Sequence, residues 1–151
     1  MHIAIKNEKI DLSTENKTEK FAFIISKKLK PGSVVFLYGE LGVGKTTFVK
    51  YLINAFQKEN KLPPVEVVSP TFSLLSEYQI NEITVNHYDL YRLKSVNELR
   101  NLDLFENISS KITLVEWPQI IKEKPKNLIE LKFNYENNYQ GRSVIIKGLT
   151  L

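Results

Sequence analysis

The spacing of apolar residues in the first third of the chain predicts alternating strands and helices. Alternation over residues 2–6 predicts a short strand. A helix is expected after Ser13 or Thr14, either of which can cap it, because apolar residues then recur at helical spacing. The recurring residues are Phe21, Ile24, Ile25 and Leu29. The apolar run 34–38 predicts a buried strand, and residues 45–56 contain no helix breaker and predict a second helix.

The middle of the chain has the pattern of a hairpin followed by a short helix. Residues 72–78 and 83–87 are rich in apolar and β-branched side chains and flank a turn at 81–82, which predicts two paired strands. Ser95 followed by Glu98 is typical of a capping box, so a helix is expected to begin there.

The last third of the chain predicts strands alone. Residues 111–115 form an apolar strand pattern that ends at 116–118, and residues 128–135 and 142–147 indicate a closing hairpin. Early alternation of strands and helices with later hairpins favours a single α/β domain over residues 1–151. We expect a three-layer α/β/α sandwich whose mixed sheet has a parallel centre and antiparallel edges.

A phosphate-binding loop follows the strand at 34–38. Residues 39–46 read GELGVGKT and match G-x-x-x-x-G-K-[ST] in full, so the fold is expected to be of the P-loop NTPase type. Glycines let backbone amides turn toward phosphate oxygens, and the start of the following helix adds its positive dipole end. Lysine supplies a charge to the β- and γ-phosphates, and the next hydroxyl binds Mg²⁺. The expected nucleotide contacts are Gly39, Glu40, Leu41, Gly42, Val43, Gly44, Lys45, Thr46 and Thr47.

Two acidic residues at predicted strand ends are candidates for the chemistry. Asp89 and Glu116 each follow an apolar strand, and ligands in open α/β sheets bind at that edge. Each could bind Mg²⁺ or orient an attacking water, and each could also be an ordinary strand-end carboxylate. Thr71, in the loop Ser-Pro-Thr, could sense the γ-phosphate or merely cap a turn.

Several side chains near these acids could have either a structural or a functional role. His87 alternates with Val85, which favours a structural role in the core. Trp117 is the only tryptophan and follows Glu116, so it either lies beside the site or fills the core. A cluster of Tyr88, Tyr91 and Arg92 next to Asp89 could be packing or a surface that meets a partner or the nucleotide.

Composition narrows the class of protein. The chain has 151 residues, a formal charge of +4 and no cysteine. Disulfides, thiolate catalysis and cysteine zinc sites are therefore excluded, and the mild charge does not indicate a nucleic-acid arm. No apolar run approaches the ~20 residues that span a bilayer, and the N-terminus lacks the apolar core of a signal peptide. We expect a cytoplasmic protein without a membrane partner.

Four segments together resemble one known family. They are GELGVGKTTFVK at 39–50, SPTFSLLSEY at 69–78, HYDLYRL at 87–93 and VEWP at 115–118. Their order and spacing are similar to those of the TsaE (YjeE) family, small bacterial ATPases of tRNA threonylcarbamoyladenosine biosynthesis. The resemblance extends from about residue 14 to residue 147. The D-L-Y-R-L segment with a later E-W makes it specific, because many families share the loop alone.

The resemblance implies an activity and partners. A protein of this kind binds ATP with Mg²⁺ and hydrolyses it slowly alone. It works with the TsaB–TsaD pair, which transfers a threonylcarbamoyl group to adenosine next to the anticodon, so that tRNA is met only indirectly.

The same resemblance implies a role for each site residue. Lys45 and Thr46 handle phosphate and Mg²⁺, Thr71 lies in a switch-like loop, and Asp89 is the acidic residue on the metal side. Glu116 supports hydrolysis, and Trp117 lies near the nucleotide or a partner surface.

Three other functions compete with this interpretation. A small-molecule kinase usually needs an arginine-rich lid, and this chain has only Arg92, Arg100 and Arg142. A GTPase is disfavoured because the N-K-x-D pattern that reads guanine is absent. A nucleotide-gated assembly factor, in which ATP binding orders residues 69–72 and hydrolysis is incidental, stays open.

Overall fold

The computed structural model describes residues 8–151, so the strand expected over residues 2–6 lies outside the described residues. Within that range the strands are β1 (Glu8–Asp11), β2 (Val34–Tyr38), β3 (Leu75–Ile80), β4 (Ile83–Asp89), β5 (Lys111–Glu116), β6 (Ile129–Glu136) and β7 (Gly141–Lys147). The helices are α1 (Glu15–Ser26), α2 (Lys45–Glu59) and the short α3 (Val96–Arg100), with 3₁₀ turns at Ile108–Ser110 and Pro118–Ile120.

The strands described here form one mixed sheet in the order β1-β7-β6-β2-β5-β4-β3. Strand β2 pairs in parallel with β5 and β6, and β4 pairs in parallel with β5. Antiparallel pairs β6–β7, β1–β7 and β3–β4 complete the two edges. The predicted parallel centre with antiparallel edges is therefore confirmed.

Two apolar clusters lie between the sheet and the elements that pack on its two faces. Helices α1 and α2 pack on one face, where alternate strand residues such as Val35, Leu37 and Leu114 are fully buried. The intervening residues, including Phe36 and Val115, face the other way and pack under the region of α3 and its flanking turns. Alternation along each strand explains this division, because successive side chains point to opposite faces. The three-layer arrangement follows from it.

The predicted helix caps are confirmed, although the first helix is shorter than its apolar spacing indicates. Thr14 caps α1 by accepting a hydrogen bond from the backbone N–H of Lys17, and Ser95 caps α3 through the N–H of Glu98. Helix α1 ends at Ser26, yet Leu29 is still buried because a turn carries it back to the core.

The first hairpin begins later than the sequence predicts. Its first strand starts at Leu75, so the prediction that residues 72–74 belong to it was wrong. The backbone N–H of Leu74 bonds to the carbonyl of Pro70, and Leu74 itself has φ +67°, which turns the chain away from an extended path. Phe72 is 85% exposed as a result.

None of the helices in residues 8–151 has both the length and the apolar character that a bilayer crossing requires.

Candidate functional site

The phosphate-binding loop connects β2 to α2 at the carboxyl edge of the sheet. Its first glycine, Gly39, has φ +149°, and a Cβ there would lie 2.8 Å from the backbone oxygen of Phe133 on β6. Gly44 has φ +116° and directly precedes α2. These two positions therefore require glycine because of backbone conformation and, at Gly39, because of the close neighbouring strand.

Lys45 is the buried cation of this loop. Its side chain is 4% exposed, its Nζ donates to the carbonyl of Gly39, and the same atom lies 3.7 Å from the ring centroid of Trp117. Burial lowers the pKa of Lys45, while the charges of Glu116 and Asp89 oppose that shift. The lysine is therefore held in a partly desolvated place beside two carboxylates. An anion that approached its ammonium group there would be attracted by the positive charge.

The two predicted acids lie side by side at the ends of parallel strands. Asp89 ends β4, Glu116 ends β5, and they are paired in register. Both are buried, at 4% and 2% exposure. The hydroxyl of Thr46 lies 3.1 Å from each carboxylate oxygen of Glu116. Glu116 is therefore joined to the loop hydroxyl that binds Mg²⁺ in such motifs.

Asp89 is held by the loop that precedes β3. Its Oδ2 accepts hydrogen bonds from Ser69 Oγ at 2.9 Å and Thr71 Oγ1 at 3.3 Å, and the two hydroxyls are 2.9 Å apart. Its Oδ1 accepts from the backbone N–H of Tyr91 at 3.0 Å. The structure thus brings Thr71 to Asp89 and adds Ser69, which the sequence reading did not single out as a site residue.

His87 lies behind Glu116. Its side chain has zero exposure, as the alternation with Val85 predicts, and its Nε2 lies 2.6 Å from Oε2 of Glu116. The histidine is therefore buried and also in contact with a candidate catalytic side chain.

Trp117 forms part of the wall of the site and is only partly buried. Its backbone has φ +56°, and its ring centroid lies 4.8 Å from that of Tyr91. The pair therefore forms an aromatic wall beside Lys45. Arg92 lies on the exposed ring of Phe72, 4.9 Å from its centroid.

A cleft of about 410 Å³ connects these groups. Ten of the residues predicted for the site line this cleft, together with Ser69 and Tyr91. The ten are Leu41, Gly42, Gly44, Lys45, Thr46, Thr47, Thr71, Asp89, Glu116 and Trp117. Three other predicted residues do not line it: Gly39 contacts β6, Glu40 is exposed, and Val43 is buried in the core. Most of the predicted side chains therefore converge on one cleft.

A second cavity also borders Gly44 and Thr47. It measures about 260 Å³ and receives residues from both ends of the described chain, including Thr14, Tyr139 and Arg142. Sequence reasoning did not identify this cavity. The only available signal was the apolar pattern of the closing hairpin, which does not reveal that the hairpin lies next to the loop.

A metal at this site would depend on few protein ligands. Across residues 8–151 there is no group of three or more histidine, cysteine, aspartate or glutamate side chains that could hold a metal ion. The hydroxyl of Thr46 and the two buried carboxylates nevertheless form an all-oxygen set. Such a set fits Mg²⁺, which is usually bound by one or two carboxylates plus substrate phosphates.

Comparisons with known proteins identify the family. Residues 12–144 match the family model described as threonylcarbamoyl adenosine biosynthesis protein TsaE. A Rickettsia bellii protein named tRNA threonylcarbamoyladenosine biosynthesis protein TsaE is 44% identical over 126 residues, covering 83% of this chain and 85% of the relative. An Aquifex aeolicus protein of the same name is 38% identical over 136 residues, covering 89% and 94%.

A solved structure supports the fold independently. The crystal structure of YdiB from Bacillus subtilis superposes with a TM-score of 0.70 at 24% identity, covering 97% of this chain and 87% of that one. The family model spans nearly the whole described chain, and both relatives keep their likeness over more than four fifths of it. The chain therefore belongs to the TsaE family.

Proposed function

We propose that this protein binds ATP with Mg²⁺ in the cleft at Lys45 and hydrolyses it slowly. We further propose that this cycle supports a TsaB–TsaD complex in the threonylcarbamoylation of tRNA. The observation that carries the ATPase proposal is the contact of Thr46 with Glu116. It joins the hydroxyl of a complete phosphate-binding motif to a buried carboxylate at the end of the neighbouring strand.

The loop supplies the binding energy for the phosphates. Backbone amides of a glycine-rich loop and of a helix start bind phosphate oxygens, and α2 begins directly after Gly44. Lys45 has only a carbonyl and an aromatic ring as close partners for Nζ among the described residues. A phosphate oxygen is a stronger partner than either, because both partners are then charged. We therefore infer that Lys45 exchanges these contacts for the nucleotide.

Thr46, Asp89 and Glu116 are the residues that would hold Mg²⁺. When bound there, Mg²⁺ would supply positive charge that stabilises the phosphate oxygens. Asp89 is fixed by Ser69, Thr71 and the backbone of Tyr91, so its carboxylate is already ordered. Little reorganisation is needed when the ion binds.

Glu116 is the best candidate to orient the attacking water. It is 2% exposed, and it lies next to the phosphate loop through Thr46. A carboxylate in this place accepts a hydrogen bond from water and so directs the oxygen lone pair at phosphorus. Asp89 is already bonded to three groups, which leaves it less free for this task.

Slow hydrolysis is consistent with the side chains around the cleft. Among the described residues that line it, none is an arginine. Arginine supplied in cis or by a partner accelerates phosphoryl transfer by about 10³–10⁵-fold. The chain alone is therefore expected to turn over slowly, and a partner protein could raise the rate.

The second cavity is the proposed place for the base and ribose. It borders the same loop residues, Gly44 and Thr47, and its described lining does not include Asp89 or Glu116. Tyr139 offers an aromatic ring and Arg142 a planar cation, both of which can stack on a purine. This arrangement leaves the γ-phosphate end toward Asp89 and Glu116.

The pathway rests on the relatives, whose names assign them to tRNA threonylcarbamoyladenosine biosynthesis. We propose the same pathway for this chain in the cytoplasm. The proposed partners, TsaB and TsaD, rest on the family resemblance alone, and we propose that the chain contacts tRNA only through them. The formal charge of +4 gives no independent reason for direct tRNA binding.

Nucleotide titration tests the central proposal. ATP, GTP and ADP are titrated into the wild-type protein with and without Mg²⁺, and ATP hydrolysis is measured with and without TsaB–TsaD. We expect ATP binding that depends on Mg²⁺ and a slow rate that rises with the partner pair. Absence of ATP binding would refute the proposal, and a flat response to the pair would refute the partner assignment.

A nucleotide gate is the second candidate, because Ser69 and Thr71 attach a loop to Asp89 inside the cleft. ATP binding alone could then order that loop for a partner. Glu116→Gln separates the two functions when its ATP binding and its support of repeated tRNA modification are both measured. Normal modification with no hydrolysis favours the gate, and lost modification with intact ATP binding favours the hydrolytic cycle.

A further inference from the structure

His87 is a buried histidine that has no contact with the open cleft, yet it touches the carboxylate proposed to orient water. Its side chain has zero exposure, and its Nε2 lies 2.6 Å from Oε2 of Glu116. An ionised carboxylate can only accept, so the hydrogen is assigned to Nε2. Its other ring nitrogen, Nδ1, has no hydrogen-bond partner among the described residues. Within residues 8–151, the contact with Glu116 is therefore the only hydrogen bond of this ring.

The contact is diagonal across the sheet. The direct partner of Glu116 in register is Asp89, and the direct partner of His87 is Leu114. The carboxylate of Glu116 therefore reaches back along the sheet toward His87 and away from its immediate neighbour. Two negative charges directly opposite each other on neighbouring strands repel, so an interaction that draws one of them back reduces the repulsion.

Separate sets of hydrogen bonds hold the two carboxylates. Ser69, Thr71 and the backbone of Tyr91 bind Asp89, while His87 and Thr46 bind Glu116. Among the side chains that the structure describes, both His87 and Thr46 contact Oε2 of Glu116, and Thr46 alone contacts Oε1. His87 thus fixes one oxygen and leaves the other for the cleft.

We propose that His87 is a positioning residue for ATP hydrolysis, which holds Glu116 through Oε2 so that Oε1 faces the reacting groups. This proposal rests on the proposed function, because it assigns Glu116 a role in hydrolysis. Outer side chains that hydrogen-bond a metal ligand change metal affinity or activity by about 10–100-fold when they are lost, and Glu116 is among the residues proposed to hold Mg²⁺. His87 acts through Glu116 and does not touch the substrate.

Three substitutions of one residue test the role. His87→Gln can place an amide N–H near the position of Nε2, His87→Asn places one near Nδ1, and His87→Leu removes the donor. We measure kcat and KM for ATP with thermal unfolding of each variant in the full chain. We expect the leucine and asparagine variants to lose about 10–100-fold in kcat with KM for ATP nearly unchanged, and glutamine to restore most of the rate.

A merely structural role gives a different result. Rates of the three variants would then follow their unfolding temperatures, and glutamine would give no specific rescue, which would overturn the proposal. If the leucine variant does not fold, the comparison of glutamine with asparagine decides in the same way. A leucine variant with wild-type kcat also overturns it.

Failure of the proposed function is distinguishable from failure of this inference. If wild-type protein does not hydrolyse ATP, the proposed function fails and the role of His87 fails with it. If wild-type protein hydrolyses ATP and the His87 variants match its kcat, the role of His87 alone is overturned.

Discussion

Nζ of Lys45 lies 3.7 Å from the ring centroid of Trp117, so the cation of the phosphate loop is in contact with an aromatic face. A cation over a tryptophan ring gains about 0.5–1 kcal/mol at an exposed site and more when it is desolvated. In the proposed site, a phosphate group would compete with the indole ring for the charge of Lys45. Binding of a nucleotide there would therefore change the environment of the indole.

Trp117 fluorescence should report ATP binding. It is the only tryptophan in the sequence, so emission comes from one known place. We expect a saturable change in its intensity or wavelength when ATP and Mg²⁺ are added, because Lys45 leaves the ring. Lys45→Met should lose the ATP-dependent change. Identical emission of the wild type with and without saturating ATP would contradict the exchange of contacts.

Lys45→Ala should weaken ATP binding by at least about tenfold, because it removes a charge-assisted contact to phosphate. Lys50→Ala is the matched control, since Lys50 is on the same helix and exposed. Isothermal titration of both variants checks the difference. Equal affinity in the two variants would remove Lys45 from the nucleotide site.

Gly39→Ala should cost about 1–3 kcal/mol of unfolding free energy, because its Cβ would lie 2.8 Å from the backbone oxygen of Phe133. Gly32→Ala is the control. Gly32 also has a positive φ, +99°, but a Cβ there would lie 3.8 Å from its nearest contact, the backbone oxygen of Ser109. Urea unfolding of both variants separates the clash from backbone strain alone. We expect the larger loss at Gly39, and equal losses would count against the close approach of β6.

Asp89→Ala should reduce ATP hydrolysis by about tenfold or more, because a buried oxygen ligand beside the loop is lost. Ser69→Ala should have a smaller effect, since it removes one of the hydrogen bonds that hold Asp89. Ser73→Ala, in the same loop and bonded only to the carbonyl of Leu75 among the described groups, is the control. Rates at several Mg²⁺ concentrations check the order, and an unaffected Asp89 variant would remove it from the site.

Asp11 should make part of the stability depend on pH. Hydrogen bonds from Lys17 and Ser13 lower the pKa of Asp11 from 3.8 to about 2. The folded state therefore favours the ionised form, so the contribution is present above pH 3.8 and is lost as the pH falls through about 2. The difference in urea midpoint between the wild type and Asp11→Asn should shrink over that window. Because the carboxylate is exposed, the difference should also weaken with salt.

Local chemistry explains which parts of the site can be predicted from the sequence. The loop at 39–46 needs particular residues at fixed spacing, so the motif alone predicts a strand, a turn and a helix in that order. Asp89 and Glu116 were predictable for a similar reason, because each directly follows an apolar strand. Their pairing across β4 and β5 then follows from the parallel sheet.

The contacts that could not be predicted join residues that are distant in sequence. Ser69 meets Asp89 across 20 positions, and His87 meets Glu116 across 29. Arg142 reaches the loop only because β6 pairs with β2, which no local pattern records. The prediction that Phe72 lies in a strand was wrong for a local reason. The turn closed by the hydrogen bond from Leu74 to Pro70 outweighs the strand-like character of the Phe72 side chain.

The sheet order that places β6 beside β2 has a consequence for synthesis of the chain. The carboxylate side of the cleft is complete in sequence once Trp117 has been made, but the second cavity needs Tyr139 and Arg142. A growing chain can therefore hold the residues proposed for the phosphates well before it holds those proposed for the base. In the proposed site, recognition of the whole nucleotide would begin only after the β6–β7 hairpin has closed.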